Sequence, residues 1–378
     1  IKYYDISGKA VYGYVYSRSY SDVKELLVKY KTEKPTRQSK NTLLSEWLKS
    51  WMKSQGTLKP TTKQIYKSHI DNYINPNLGK IPLKKLNGDI LQGFINDLNL
   101  SASTVKNIFS ILKSVLSSAE DNGLILNIWD KVKVPKKEKS IVQVLTINEQ
   151  KLLESVLTSP LDIGVWICLY AGLRIGETCG LTWQDINLEE QCLTIKRSIR
   201  YDGTKHKNVI GTTKRKKVRI VDFGDTLTEI LKAARREQLK SRMQYGELYH
   251  RNYYKEVHVK NRVYYEYYHL DGTQEVPADY KEISFVCLRP DGSLELPSTL
   301  GIVCRSVSKK LEGFEDFHFH QLRHTYTSNL LSNGAAPKDV QELLGHSDVS
   351  TTMNIYAHST RKAKRDSARL LDKVVSNA

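Results

Sequence analysis

Residues 317–358 constrain this chain more than any other stretch. They open with Phe317-His318-Phe319-His320-Gln321-Leu322-Arg323-His324-Thr325, pass through Leu344-Gly345-His346-Ser347, and reach Ser350-Thr351-Thr352-Met353-Asn354-Ile355-Tyr356. His320 and Arg323 are three apart, so a helix would set them on one face. Leu322, Tyr326, Leu330 and Leu331 supply the apolar stripe that buries such a helix. Asn333-Gly334 ends it, because both residue types tolerate positive φ. A second short helix from Pro337 to Leu344 closes on Gly345 and presents His346. Ser350-Thr351-Thr352 then cap a third segment that carries Tyr356. Two imidazoles, a guanidinium and a phenol on short rigid helices point to phosphate chemistry, since a guanidinium pairs with phosphate oxygens bidentately.

The pattern H-x-x-R-H-T followed by L-G-H-x(5)-T-x(3)-Y resembles the catalytic box of the tyrosine recombinases, the phage lambda-type integrases and their relatives. Upstream, A-G-x-R-x-G-E over residues 171–177 resembles the stretch carrying that family's first catalytic arginine, and L-x-W-x-D-I continues it through Trp183 and Asp185. The resemblance implies that Arg174 and Arg323 clamp the scissile phosphate and that Tyr356 attacks it, leaving a 3′-phosphotyrosyl bond and a free 5′-hydroxyl. It gives His320 and His346 hydrogen bonds to the phosphate or the tyrosine, with His320 the better candidate for general base. It also makes Glu177 the support of Arg174. Read without the family, Arg174 ends a buried helix, where an arginine is costly unless it meets an anion, and Glu177 alone would satisfy it.

The family's catalytic lysine lies at a β-hairpin tip just before a strand arginine. Counting back from Arg219-Ile220-Val221 gives Lys214, with Lys216 as the rival register and Arg215 between them. Taken alone, the run Lys214-Arg215-Lys216-Lys217 is equally a solvated basic turn. Tyr356 is one of 22 tyrosines, so only its company singles it out.

The 378 residues carry a formal net charge of +17, which favours a polyanionic partner, nucleic acid or an anionic membrane surface. No apolar run approaches a membrane span and no signal peptide is visible. Double-stranded DNA in the bacterial cytoplasm is therefore the partner and place that the resemblance implies. The five cysteines are scattered without a C-x-x-C pair, which reads as reduced and packed, with no metal site or cofactor expected. The chain opens at Ile1 rather than methionine, so upstream sequence is expected.

The organisation expected is α+β and multidomain: a small β-β-α arm module, an all-α core-binding domain, and a mainly helical catalytic domain with a small antiparallel sheet. Residues 1–33 alternate Tyr3-Tyr4 and Val11, Tyr12, Tyr14, Tyr16 around the turn Asp5-Ile6-Ser7-Gly8-Lys9, followed by a helix from about Ser21. They are either a partial arm-type DNA-binding module or a strand pair that merely packs on its helix. Residues 41–132 repeat apolar residues at helical spacing, as four or five helices. Their order of parts, P-x-T-x(3)-Y from Pro60 and L-x(2)-S-x-S-T from Leu98, is similar to the family's core-binding domain. Lys59, Lys63, Lys67 and Lys106 fall on or beside its polar faces as candidate DNA contacts.

A basic linker over 131–143 adds Lys133, Lys136 and Lys137, which can meet phosphates without reading bases or can simply be solvated. The catalytic domain is placed at 144–378. Thr146 and Glu149 form a capping box at its start. A Tyr-rich insert over about 243–298 suggests an added hairpin or extended loop. It could pack within the fold, lie against another protomer or face DNA. The tail 359–378 is a docking segment for a neighbouring protomer or a helix folding back on its own domain. The resemblance further implies a homo-oligomer, tetrameric in the synaptic complex and monomeric or dimeric off DNA, with an excisionase or DNA-bending accessory protein as a possible partner. The function expected is a site-specific integrase of the conjugative-transposon or temperate-phage kind. A type IB topoisomerase and a catalytically idle architectural DNA-binding protein are the rivals.

Overall fold

The structure, a computed structural model, describes residues 3–4, 10–11, 16–17, 19–25, 42–136, 142–202, 207–212, 218–259, 262–345 and 349–356. Two compact units divide the chain, Ile1–Lys139 and Ser140–Ala378.

In the first unit, β1 (Tyr3–Tyr4) pairs antiparallel with β2 (Ala10–Val11), Tyr3 opposite Val11. Helical residues 20–25 follow as α1. The turn residues 5–9 lie outside the described residues. The helical domain then begins with α2 (Leu44–Ser54), where Leu44, Leu48 and Trp51 are buried at i, i+4 and i+7. Next come α3 (Pro60–His69), a π-helical turn Ile70–Ile74, and α4 (Asn75–Leu78). Asn87 caps α5 (Gly88–Asp97), its side chain accepting from the Ile90 N–H at 2.9 Å. Ser101 caps α6 (Ala102–Asp121). One face of α6 buries Val105, Ile108, Leu112, Val115 and Ala119, the i, i+3/i+4 stripe of a core helix. Each of the valine, isoleucine and leucine side chains among them contributes about 1.5–3 kcal/mol of burial.

The linker does not begin loosely. Gln92 on α5 accepts from the Lys133 N–H at 2.8 Å and donates to the Lys133 carbonyl at 3.1 Å, while Val132 and Val134 pack on the helical core. Lys59, Lys63, Lys67, Lys106, Lys133 and Lys136 are all exposed. Lys137 lies outside the described residues.

In the second unit, Thr146 and Glu149 make the expected reciprocal cap of α7 (Ile147–Val156). The core helix α8 (Ile163–Ala171) is buried nearly all round and ends on Gly172 at φ +64°. After α9 (Ile175–Cys179) the chain enters β3 (Ile186–Asn187), β4 (Cys192–Ile195), β5 (Arg197–Asp202), β6 (Lys207–Thr212) and β7 (Arg219–Asp222). The helix α10 (Asp225–Tyr245) leads to β8 (Arg251–Val259), β9 (Arg262–Leu270) and β10 (Lys281–Glu282). Four helices close the described chain: α11 (Pro297–Lys310), α12 (Phe319–Ser332), α13 (Pro337–Leu344) and α14 (Val349–Tyr356).

The small antiparallel sheet resolves into two. β3-β4-β7 form one, and β10-β8-β9-β6-β5 form the other. The Tyr-rich residues between α10 and α11 thus contribute a hairpin that extends the β5–β6 ladder, with Tyr265 opposite Ile210. Of the three fates considered for this segment, internal packing is observed for one face: Tyr254, Tyr265 and Tyr267 lie against the core around Phe285 and Leu288. The four described buried cysteines, Cys168, Cys179, Cys287 and Cys304, are unbridged, and Cys192 is half-buried and also free.

Glu295 is fully buried beside Cys179 and Cys287, and neither carboxylate oxygen has a hydrogen-bond partner among the described residues. Burial pushes its pKa up to about 8; Asp162 adds to the rise and Arg289 opposes it. A carboxyl with a higher pKa folded than unfolded binds more protons in the native state. Its contribution is present below the unfolded pKa, near 4.5, and is lost as pH rises toward 8. Glu295→Gln is therefore expected to raise the melting temperature at pH 8 by roughly 5 °C or more and to leave it unchanged at pH 4.5. Thermal melts at the two pH values check this, and equal melting temperatures at pH 8 would contradict it.

Candidate active site

Three arginines from three distant parts of the second unit meet the C-terminal turn of α13. Arg219, on β7, donates its Nε to the Leu343 carbonyl at 2.9 Å. Arg323, on α12, donates Nη2 to the Leu344 carbonyl at 2.6 Å. Arg174, between α8 and α9, donates Nη2 to the Gly345 carbonyl at 3.3 Å. A helix C-terminus leaves its last carbonyls unpaired and carries partial negative charge, so cations are stabilised there.

Arg323 also donates Nη1 to the Gly172 carbonyl, just past α8, at 2.6 Å. Its 1% exposure would be costly for an unpaired cation, but two helix ends share it. Burial and the charges of Arg174 and Arg219 pull its pKa down to about 9, with Glu177 opposing, so it is still a cation at neutral pH.

Both cradle glycines are dictated by geometry. Gly172 and Gly345 sit at φ +64° and +61°, the left-handed region open to glycine. A Cβ on Gly172 would stand 2.4 Å from the Tyr326 ring, and one on Gly345 would stand 3.1 Å from the Arg219 side chain.

Glu177 is 3% exposed and fully engaged. Its Oε1 accepts from Arg174 Nη1 at 2.9 Å and Arg219 Nη1 at 3.1 Å, and its Oε2 from Arg219 Nη2 at 2.7 Å and the Arg174 backbone N–H at 3.1 Å. Burial alone would raise the Glu177 carboxyl; the Arg219 hydrogen bonds and the two positive charges outweigh it and hold the pKa at about 2. Arg174 keeps the most exposed guanidinium of the three, at 31% of its side chain against 12% for Arg219.

His320 as a residue is more open to solvent than Arg323, one turn away on α12, although its ring is partly shielded. Local burial, then the charges of Arg323, His318 and Arg174, lower its pKa. A neutral imidazole keeps one ring nitrogen as a proton acceptor. The His324 ring meets it edge-on at 4.5 Å, and burial, His320 and Arg323 drive its pKa down to about 4.

Tyr356 is the last residue of α14, which starts at Val349, so Ser350, Thr351 and Thr352 lie inside the helix rather than capping it. Thr352 is fully buried. The Tyr356 side chain, Lys214, Arg215, Lys216, His346 and the tail 359–378 lie outside the described residues. Arg174, Glu177, His320 and Arg323 are brought together; Arg219, noted in the sequence only as a register mark, proves to be part of the cluster.

Comparison with known proteins decides the family. The family model described as phage integrase family matches residues 135–270 and 281–363, more than half of the chain, and that of the phage integrase N-terminal SAM-like domain matches residues 43–99. The chain belongs to the phage integrase family. It is a tyrosine recombinase, an enzyme that breaks and rejoins DNA, and as an integrase it acts in site-specific recombination; the topoisomerase and idle-scaffold alternatives are not favoured.

This integrase is 27% identical over 334 residues to a XerC-like tyrosine recombinase of Caldanaerobacter subterraneus subsp. tengcongensis, covering 83% of the chain and 78% of that protein. It is 26% identical over 362 residues to the integrase of Staphylococcus phage L54a, covering 88% and 92%. Its fold is shared with the Tn1549 transposon integrase in complex with transposon right end DNA (TM-score 0.66, 19% identity, 87% of this chain and 99% of that one). It is shared also with a lambda integrase tetramer bound to a Holliday junction (0.53, 16% identity, 92% and 93%). Among the described residues, no helix of the integrase is long and apolar enough to cross a membrane.

Proposed function

We propose that the integrase moves a mobile element into or out of double-stranded DNA through a tyrosyl–DNA ester, with Arg174, Lys214, His320, Arg323, His346 and Tyr356 as the working groups. The observation that carries this is the arginine cluster at the end of α13, where, among the described residues, Glu177 is the one acid set against three guanidiniums and pairs with two of them, Arg174 and Arg219. That surplus of positive charge suits a phosphodiester, whose anionic oxygens otherwise repel a nucleophile.

Arg174 and Arg323 take the non-bridging oxygens and stabilise the pentacoordinate transition state. The Tyr356 phenol oxygen attacks phosphorus as its proton passes to the neutral His320. The bond to the 5′-oxygen breaks, and that oxygen receives a proton from Lys214, or from Lys216 if the hairpin register lies there. His346 hydrogen-bonds the phosphate. One phosphoester replaces another, so attack by a 5′-hydroxyl of a second duplex completes strand exchange without ATP.

Lys59, Lys63 and Lys67 form an i, i+4 row on the helical domain, and with Lys106, Lys133, Lys136, Lys137, Arg215 and Lys216 they serve as phosphate contacts. A synaptic tetramer is the working assembly, with residues 359–378 docking between protomers; an excisionase or DNA-bending protein would set direction. Residues 1–33 serve as the arm module, 41–132 as the core-binding domain and 144–378 as the catalytic domain.

The test is a nicked duplex carrying the element's end, which traps the covalent intermediate because the short 5′-hydroxyl strand diffuses away. The expected product is a 3′-linked adduct, formed in EDTA and mapped by proteolysis and mass spectrometry to the Tyr356 peptide. A second duplex should then yield exchanged strands rather than relaxed substrate. An adduct on another residue, or none on a site that the protein binds, would end the assignment.

A further inference from the structure

We infer that Arg219 is a positioning residue for strand cleavage, the true counter-ion of Glu177, which leaves the Arg174 guanidinium available to the phosphate. This rests on the reading of the arginine cluster as the cleavage site.

The hydrogen bonds separate the two arginines. Arg219 meets Glu177 as a fork, with Nη1 on one oxygen and Nη2 on the other, and spends its Nε on the Leu343 carbonyl. Arg174 gives Glu177 one side-chain hydrogen bond and one backbone N–H, and its Nη2 reaches only a 3.3 Å contact with the Gly345 carbonyl. A bidentate guanidinium–carboxylate pair is the stronger and the more directional of the two. The exposures agree, since the fork residue is shielded and Arg174 is the one that faces outward.

Charge counting gives the consequence. Arg174, Arg219 and Arg323 against Glu177 leave two positive charges for the phosphate. Without Arg219, Glu177 and Arg174 become a closed pair and only Arg323 is left. Arg219 also fixes where α13 ends. Its Nε holds the carbonyl before the one bound by Arg323, and its side chain packs on Gly345, where a Cβ would come within 3.1 Å of it. One side chain thus sets the register of the turn on which the other two arginines rest. Placement of this kind matters to rate, since a misplacement of about 1 Å at a reacting centre costs on the order of 100-fold.

Arg219→Lys is the discriminating variant. It keeps the charge and loses the fork, because an ammonium is a point charge that cannot hold both Glu177 oxygens and the Leu343 carbonyl in plane. On the nicked duplex at saturating protein, the first-order rate of adduct formation is expected to fall about 10–100-fold. DNA affinity should stay within about twofold, as expected for a group removed from the phosphate-contacting surface. In a Glu177→Gln background the same substitution should cost less than in the parental protein, since the acid that Arg219 answers is already neutral and only its hold on the Leu343 carbonyl remains to be lost.

Thermal melts of the full chain accompany the rates. Cleavage at the parental rate by a folded Arg219→Lys overturns the inference. So does loss of affinity in step with rate, or loss of the melting transition, either of which would make Arg219 a DNA contact or a purely structural residue. The parental protein serves as the control for the underlying reading: no adduct from it at Tyr356 overturns both, whereas parental adduct with an equally fast Arg219→Lys overturns only the role of Arg219.

Discussion

Tyr356→Phe is expected to bind its DNA site with unchanged affinity and to form no covalent adduct. The substitution removes one oxygen and keeps the aromatic side chain of the residue that ends α14, a small change for a fold to absorb. The chemistry has every reason to, because the arginine cluster can only stabilise an attack that some nucleophile delivers. Water is the residual alternative, and losing an enzymic nucleophile reduces rate by roughly 10⁴-fold or more. A nicked-duplex assay beside a gel-shift titration separates the two quantities. An adduct persisting in Tyr356→Phe would move the nucleophile to another of the chain's tyrosines.

Arg323→Ala is expected to fail at both folding and cleavage. The guanidinium is 1% exposed and supplies 2.6 Å hydrogen bonds to the carbonyls of Gly172 and Leu344, the ends of α8 and α13. Removing it strands two buried acceptors at the negative poles of two helices and opens a void. Hydrogen bonds from a charged group are worth about 1.5–3 kcal/mol each, so the loss should be about 3–5 kcal/mol, in the range found when one partner of a buried charged contact is deleted. Arg323→Lys should recover part of the stability, since one ammonium can serve one carbonyl well and the other poorly. It should not recover cleavage, which needs the planar fork. Urea midpoints and adduct rates on both variants decide this. A parental midpoint for Arg323→Ala would mean that other groups tie the two helix ends together.

The parts that were legible in the sequence are those determined by neighbours. Helix α13 spans Pro337–Leu344 with Gly345 in the left-handed conformation, as proline at its first turn and glycine after its last dictate. The Thr146–Glu149 cap and the contact of Glu177 with Arg174 are likewise short-range. What could not be read is long-range. Arg219 finds its partners 42 and 124 residues away. A faint signal existed in Arg219-Ile220-Val221-Asp222: Val221 is buried and Ile220 is 59% exposed, so strand alternation turns the arginine inward with the valine, where it needs an acid. Helical spacing likewise placed His320 and Arg323 on one face without telling that one would be exposed and the other buried. The separation into two sheets depends on β6 pairing with β9, a match between segments more than 50 residues apart (Ile210 with Tyr265) that local pattern cannot reveal.

That pairing bears on how the enzyme could be cut down. The strand β6 leads directly toward residues 213–217, and β9 of the added hairpin lies along its other side. Excising the hairpin to reach the size of a shorter recombinase would leave a bare row of backbone donors and acceptors there. An unpaired strand recruits other chains, so a minimal version of this integrase would carry a built-in adhesive edge beside its own lysine run. The hairpin is better regarded as a selvedge than as an ornament, and a shortened enzyme would need a replacement border: a charged or proline-bearing strand, or a bulge that bends β6 out of reach.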